Sequence, residues 1–480
     1  MASGTLISRR FWKSLLSAAA AAVILAAPVQ AADGTLEVVG RTDLGARGLS
    51  AGLALAGNCA YVGSRGEGPI AIVDVSDPAH PAPAGLLPAA AGTTPRELRA
   101  YPDGHWLVVL DYALRAGGVN ALRFYRWDAD CRQLTAAGSY NFGSRPPHEM
   151  YLWRDAAHGR ILLFVTMFSG GAGDLQVIDA SDPAAPHLLA TAGGLPGPLH
   201  SIALDPDGRK AYLSDWTGGL YLADTSQFAD AAPSPQLRLL TASAGAFRTP
   251  PGNVHSAVPV PGRQLAVTTD ERYPGTGGCP YGSAHLVDVS DPAHPRATAT
   301  MAIAENDPAV CPGAAPGTWT SHNPTLTANL ALVSWYSGGV QVFDISEAAH
   351  PVSLVQLRPS GVQAHAGDPA LGSTATMTWS YPIIRNGLIY VADINQGLLV
   401  LRYHGSHEEE ISGLAFAEGN SNLTQSLPAP TPSPTTTQPS TPARQATKAA
   451  VSGSVNPALL LLLLAAALVA AGAVVWVHRR

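Results

Sequence analysis

The sequence predicts an all-β protein: a seven-bladed β-propeller with four-stranded blades, its ring closed by an N-terminal strand, followed by a C-terminal transmembrane helix. Three observations lead there. Gly (48) and Pro (40) are abundant, and only 13% of residues are charged. That excludes a long-helix or coiled-coil protein and suits short strands joined by tight turns. An alternating apolar strand ending in Asp, followed by a Ser-Asp-Pro turn, recurs along the chain. Units built on it begin near residues 47, 95, 147, 199, 254, 321 and 379, and a strand-only repeat of about 50 residues marks a propeller blade.

The elements follow in order. Residues 1–31 read as a secretory signal peptide. Arg9, Arg10 and Lys13 precede an apolar run, and Val29-Gln30-Ala31 fits a small-residue cleavage site. The propeller is placed at 35–405. Its first strand, LEVVGRTDL (36–44), has no blade of its own, while the seventh unit lacks a fourth strand after LLVLRY. The two are therefore expected to pair and close the ring. Within the blades, Pro102-Asp103-Gly104, Pro206-Asp207-Gly208, Pro261-Gly262 and Asn386-Gly387 supply hairpin turns. A post-propeller segment (406–426) leads into a Pro/Thr/Ser-rich stretch (427–456), whose composition suits an extended stalk. Residues 457–477 are uncharged and apolar over a length that matches a hydrocarbon core of ~30 Å. The basic tail 478–480 would stay cytoplasmic. These ends predict a single-pass cell-membrane protein with an extracytoplasmic propeller, its membrane partner reached through one C-terminal helix.

Charge is unevenly distributed. Six of the 29 basic residues lie outside 32–445, whereas all 35 acidic residues lie inside it, so this stretch carries −12 against −6 for the whole chain. Such a surface repels phosphate backbones and argues against a nucleic-acid partner.

The four cysteines test the blade register. In an exported domain they favour disulfides. Cys59 falls at the first turn of blade 1, and Cys131 at the third turn of blade 2, on the same face of the ring. Cys279 and Cys311 fall in loops on the opposite face. The expected pairs are Cys59–Cys131 and Cys279–Cys311.

The segments IAIVDVSDPAHP (70–81), LQVIDASDPAAP (175–186), AHLVDVSDPAHP (284–295) and VQVFDISEAAHP (340–351) resemble the LVIVD repeat of secreted and surface bacterial proteins. The resemblance extends over most of 50–403. It implies a β-propeller and says little about activity.

The strongest chemical signal is a set of histidines. His148, His200, His255 and His322 each stand just before the first strand of consecutive blades, where Arg96 and Trp379-Ser380 occupy the matching positions of blades 2 and 7. First strands line the channel, so the four rings are expected at one axial mouth. Neutral imidazole is the commonest metal ligand and suits iron, copper or zinc. Glu97, Glu149, Asp215, Asp270 and Glu271 are candidates to orient the rings. The alternative is that each ring bonds a backbone carbonyl and simply caps the channel. Trp216, Tyr273, Trp335, Tyr336 and Trp379 are expected on the same face, suited to a small-molecule, glycan or protein ligand. In architecture alone the arrangement is similar to the carotenoid oxygenases, which hold iron with four axial histidines, and to the selenium-binding/methanethiol oxidase proteins.

Two functions follow. One is a cell-surface binding or interaction propeller with an axial metal. The other is a metal-dependent (iron or copper) oxidase or oxygenase using the same histidines. No Walker loop, dinucleotide fingerprint, Gly-x-Ser-x-Gly or Cys-x-x-Cys is present.

Overall fold

The computed structural model describes residues 34–169, 173–249, 253–273, 279–359 and 375–417. They form seven four-stranded antiparallel sheets, each a blade. Six blades use four consecutive strands, at 50–87, 93–141, 150–192, 199–239, 254–301 and 324–357. The seventh consists of Ile383–Arg385, Leu388–Asp393, Gly397–Gly405 and, as its outermost member, the first strand of the chain, Gly34–Thr42. The pairing runs antiparallel from Gly34 opposite Gly405 to Thr42 opposite Leu398. The ring is thus closed as expected, leaving no unpaired edge at the seam.

Burial falls from the axis outward. In blade 1 the first strand, Ser50–Ala56, is buried at every residue, whereas the fourth, Ala82–Leu87, is largely exposed. An inner strand with protein on both faces must read as a continuous apolar run, and an outer strand need not. The core lies between sheets. One cluster joins Leu53, Val62 and Val73 of blade 1 to Leu399 and Leu401 of blade 7.

The repeated turn is explained by its hydrogen bonds. Asp74 Oδ1 accepts from Ser76 N at 2.9 Å, and Asp77 Oδ1 accepts from Ala79 N at 3.0 Å. Asp179 with Asp182, and Asp288 with Asp291, repeat the pattern. The turn packs on the outer strand of the preceding blade, where glycine makes room. A Cβ at Gly40 would sit 2.1 Å from Pro78 O, and one at Gly138 2.3 Å from Pro183 O.

Both disulfides pair as expected, Cys59–Cys131 and Cys279–Cys311. The first ties blade 1 to blade 2 across a sequence separation of 72. Loop-closure entropy for such a span is worth about 4 kcal/mol. The Cys59→Ser/Cys131→Ser variant is therefore expected to lose up to about that much stability, read as a lowered urea midpoint.

Past the last strand the chain forms a short helix, Glu408–Ser412, and returns to the inner strands at the end opposite the histidines. Phe416 N donates to Ile384 O at 2.8 Å, and Leu55 N to Ala417 O at 2.6 Å.

One expectation is corrected. No helix among the described residues is long and apolar enough to cross a membrane. A span needs about 20 apolar residues, and the two α-helices found, Ser226–Ala229 and Glu408–Ser412, have four and five. The C-terminal transmembrane helix, the membrane partner and the single-pass cell-membrane location are therefore not supported. The segment assigned to that helix (457–477) lies outside the described residues, as do the signal peptide (1–31), the stalk (427–456) and the basic tail (478–480).

Candidate metal centre

A β-bulge at the start of the inner strands positions the site. In blade 4, Leu199 pairs with Asp215 and Ser201 with Ser214, leaving His200 as the extra residue. In blade 5, Val254 pairs with Asp270 and Ser256 with Thr269, leaving His255. In blade 2 the same slip leaves Arg96 between Pro95 and Glu97. Blades 3 and 6 show the equivalent bond pattern: His148 N donates to Thr166 O and Thr166 N to Glu149 O, while His322 N donates to Ser334 O and Ser334 N to Asn323 O. A bulge bends the strand and re-aims a side chain. Here it turns one residue of each of these five blades toward the axis.

The four histidines meet there. His148 Nε2 and His200 Nε2 are 2.8 Å apart. Ring centroids are separated by 4.2 Å from His148 to His200, 4.0 Å from His200 to His255 and 4.0 Å from His255 to His322. All four are buried, His148 being the most exposed at 8%. Adjacent blades lock the backbone behind the rings: Thr166 Oγ1 donates to His200 O at 2.8 Å, and Thr269 Oγ1 donates to His322 O.

Two of the five candidate carboxylates join the cluster. Glu149 Oε1 lies 3.8 Å from His200 Nδ1 and 3.8 Å from His255 Nε2. Glu271 Oε2 lies 3.9 Å from His255 Nε2, and its Oε1 lies 3.7 Å from His322 Nε2. Glu149, His200 and His255 form one donor group, and His255, Glu271 and His322 a second, each with ligand atoms within 4.8 Å of one another. The other three carboxylates have different tasks. Glu97 pairs with buried Arg99 at 3.2 Å. Asp215 accepts from the backbone N–H groups of Gly197, Thr217 and Gly218 and so caps a loop. Asp270 Oδ2 lies 3.0 Å from His285 Nε2.

Beneath the rings runs a polar layer from the residues that follow the bulges. Ser256 Oγ lies 2.8 Å from His255 Nδ1, 3.2 Å from Asn323 Oδ1 and 3.0 Å from the Tyr381 hydroxyl. The Tyr381 hydroxyl donates to Glu149 Oε2 at 3.3 Å. Ser256, Asn323 and Tyr381 were not among the sequence candidates. The signal was there, since a polar residue follows the axial one in His148-Glu149, His200-Ser201, His255-Ser256, His322-Asn323 and Arg96-Glu97.

Burial sets the protonation. It holds all four histidines well below the usual imidazole range, helped at His148 and His255 by the neighbouring rings. They are neutral at pH 7 and offer lone pairs. Burial pushes Glu149 up to about 8, with the charge of Glu97 adding to the effect. Burial also raises Glu271, against hydrogen bonds from Tyr273 and Tyr336.

The aromatic residues divide. Trp216 stacks on His200 at 4.9 Å and 22°. Trp379 lies 5.2 Å from His322, and Tyr336 4.6 Å. Tyr273 is only partly buried and reaches Glu271. Trp335 does not reach the mouth: it is wholly buried between blades 5 and 6, and its Nε1 donates to Trp319 O. Phe168 stacks on His148 at 4.5 Å and 24°. Phe168 and Tyr336 adopt φ of 44° and 37°, a left-handed backbone uncommon for bulky residues and concentrated at functional sites.

The LVIVD repeat family model matches residues 47–86 and 170–191. No curated relative matches the chain. Among solved structures it is similar to Raptor from Chaetomium thermophilum, with 13% identity and a TM-score of 0.49. That similarity covers 77% of this chain but only 28% of Raptor. It is also similar to the periplasmic gluconolactonase PpgL of Pseudomonas aeruginosa, with 14% identity and a TM-score of 0.47, over 75% of this chain and 96% of that one. Both are too distant to bear on activity.

Proposed function

We propose that this LVIVD-repeat β-propeller is a metal-binding protein. It holds one transition-metal ion (iron, copper or zinc) among His148, His200, His255 and His322, and binds a small ligand at the aromatic mouth. The observation that carries the reading is the state of His322. Its Nδ1 lies 2.7 Å from the carbonyl oxygen of Trp379. A carbonyl only accepts, so Nδ1 carries the proton and Nε2 the lone pair. That Nε2 is buried with no hydrogen-bond partner among the described residues. Buried polar atoms are rarely left this way. A backbone carbonyl fixing the tautomer while the other nitrogen faces a cluster of donors is the usual support of a metal-bound histidine.

The spacing agrees. Two nitrogens at roughly 2.0–2.1 Å from one ion lie about 2.9 Å apart at a right angle and about 3.3 Å apart at the tetrahedral angle, so the 2.8 Å between His148 Nε2 and His200 Nε2 needs only a small opening to admit an ion. Glu149 and Glu271 sit on either side of His255 Nε2, ready to ligate or to compensate the charge of the ion.

Elemental analysis of the purified full-length chain tests the proposal. After incubation with Cu2+, Zn2+ or Fe2+ and removal of excess, about one ion per chain is expected for at least one metal. Failure to retain any of the three would sink the reading.

A further inference from the structure

Two arginines stand beside the histidine cluster. Arg96 occupies the bulge position of blade 2, the counterpart of His200 and His255 in their blades. Arg65 follows the strand Cys59–Ser64 of blade 1. Their guanidinium carbons lie 5.6 and 5.5 Å from the ring centre of Trp379, which itself neighbours His322. Both are only partly buried. Arg96 Nε is buried without a hydrogen-bond partner among the described residues. Both guanidinium groups face Glu97 and Glu271, and Arg96 also faces Glu149.

The charges do not balance once the ion is in place. Arg65, Arg96 and Arg99 already match the three carboxylates Glu97, Glu149 and Glu271, so a divalent cation adds two positive charges that nothing in this group offsets. An anion is the missing component. The guanidinium fork matches the two oxygens of a carboxylate, and Phe168 and Trp216, both partly exposed, give the mouth apolar walls.

We infer that the site binds a small organic carboxylate, with one oxygen completing the shell of the metal, the other paired with Arg96 and Arg65, and the apolar body against Phe168 and Trp216. This inference rests on the metal-binding reading above. Binding of this kind is reversible ligation, breaks no bond of the carboxylate and needs no co-reactant.

The test uses the full-length chain loaded with Cu2+ and titrated with benzoate, followed by the copper ligand-field band and by calorimetry. A saturable band shift is expected. Arg96→Gln should weaken benzoate at least tenfold, and Arg65→Gln/Arg96→Gln further, with copper content unchanged. Arg96→Lys, which keeps the charge but not the fork, should fall between Arg96→Gln and the native chain. Three results would each overturn the inference: no band shift, equal affinity in the double variant, or equally tight benzoate binding without copper. A chain that takes up none of Cu2+, Zn2+ and Fe2+ fails the metal reading and this one together, and one that retains only Zn2+ or Fe2+ is titrated by calorimetry in that loaded form with the same outcomes. A chain that takes up copper and ignores benzoate fails this one alone.

Discussion

Replacing His200 and His255 together by alanine is expected to abolish metal retention, lowering the ion content from about one per chain to the background of the unloaded protein. Removing a residue that merely orients a metal ligand costs 10–100-fold in affinity. Deleting two ligands should therefore exceed about a hundredfold. His255 is the shared member of both donor groups, so its loss disrupts each. The control is folding. Both residues lie in inner strands whose ladders do not depend on the imidazole, so circular dichroism should be unchanged while metal content falls. Equal metal content in the variant and the native chain would mean the four rings only cap the channel.

Substituting Arg99 by alanine should cost about 3–5 kcal/mol of stability, the penalty for leaving a buried charge without its partner. Arg99 is 1% exposed. It pairs with Glu97, and its Nη1 and Nη2 donate at 2.7 Å to Leu98 O and Met150 O, the latter in blade 3. Its loss strands Glu97 near Glu149, whose own ionisation Glu97 already opposes. Arg99→Met/Glu97→Leu removes both charges and should recover a large part of the loss, although two carbonyls lose a donor. Urea unfolding of the three proteins decides it. A double variant no more stable than Arg99→Ala would show that the carbonyl bonds, and not the ion pair, matter.

The blade count, the seam and both disulfides were legible because they rest on local patterns. Alternating apolar runs, Asp-capped turns, an unclaimed strand at the start and a blade one strand short at the end leave few closed arrangements. The axial placement of the histidines was legible for the same reason, since one residue type recurs at one offset. The β-bulge that aims them was not, because it adds a residue to the ladder without a mark in composition. Asp215 and Asp270 were assigned to the cluster from their loops. A carboxylate at a loop start is as readily consumed by backbone amides or a neighbouring histidine, and here both were. Trp335 shows the same limit: one residue before Tyr336, it points between blades while Tyr336 turns to the site. The hydropathy of 457–477 suggested a membrane span, and no helix among the described residues is long enough to provide one.

The seam also dictates an order of events during folding. Six blades are built from strands adjacent in sequence and can form as the chain emerges. The seventh joins Gly34–Thr42 to Gly397–Gly405, so its sheet must wait until almost the whole propeller has been synthesised. Pairing of such sequence separation is slow, because the loop entropy must be overcome before the contact is rewarded. Until then Gly34–Thr42 is an orphan strand, and the inner face of blade 1, with Leu53, Val62 and Val73, lacks the partners it finds on blade 7. The interval before closure is when this protein is most exposed to pairing with another copy of itself. Its vulnerability is therefore kinetic, and is concentrated at a junction that the finished ring conceals.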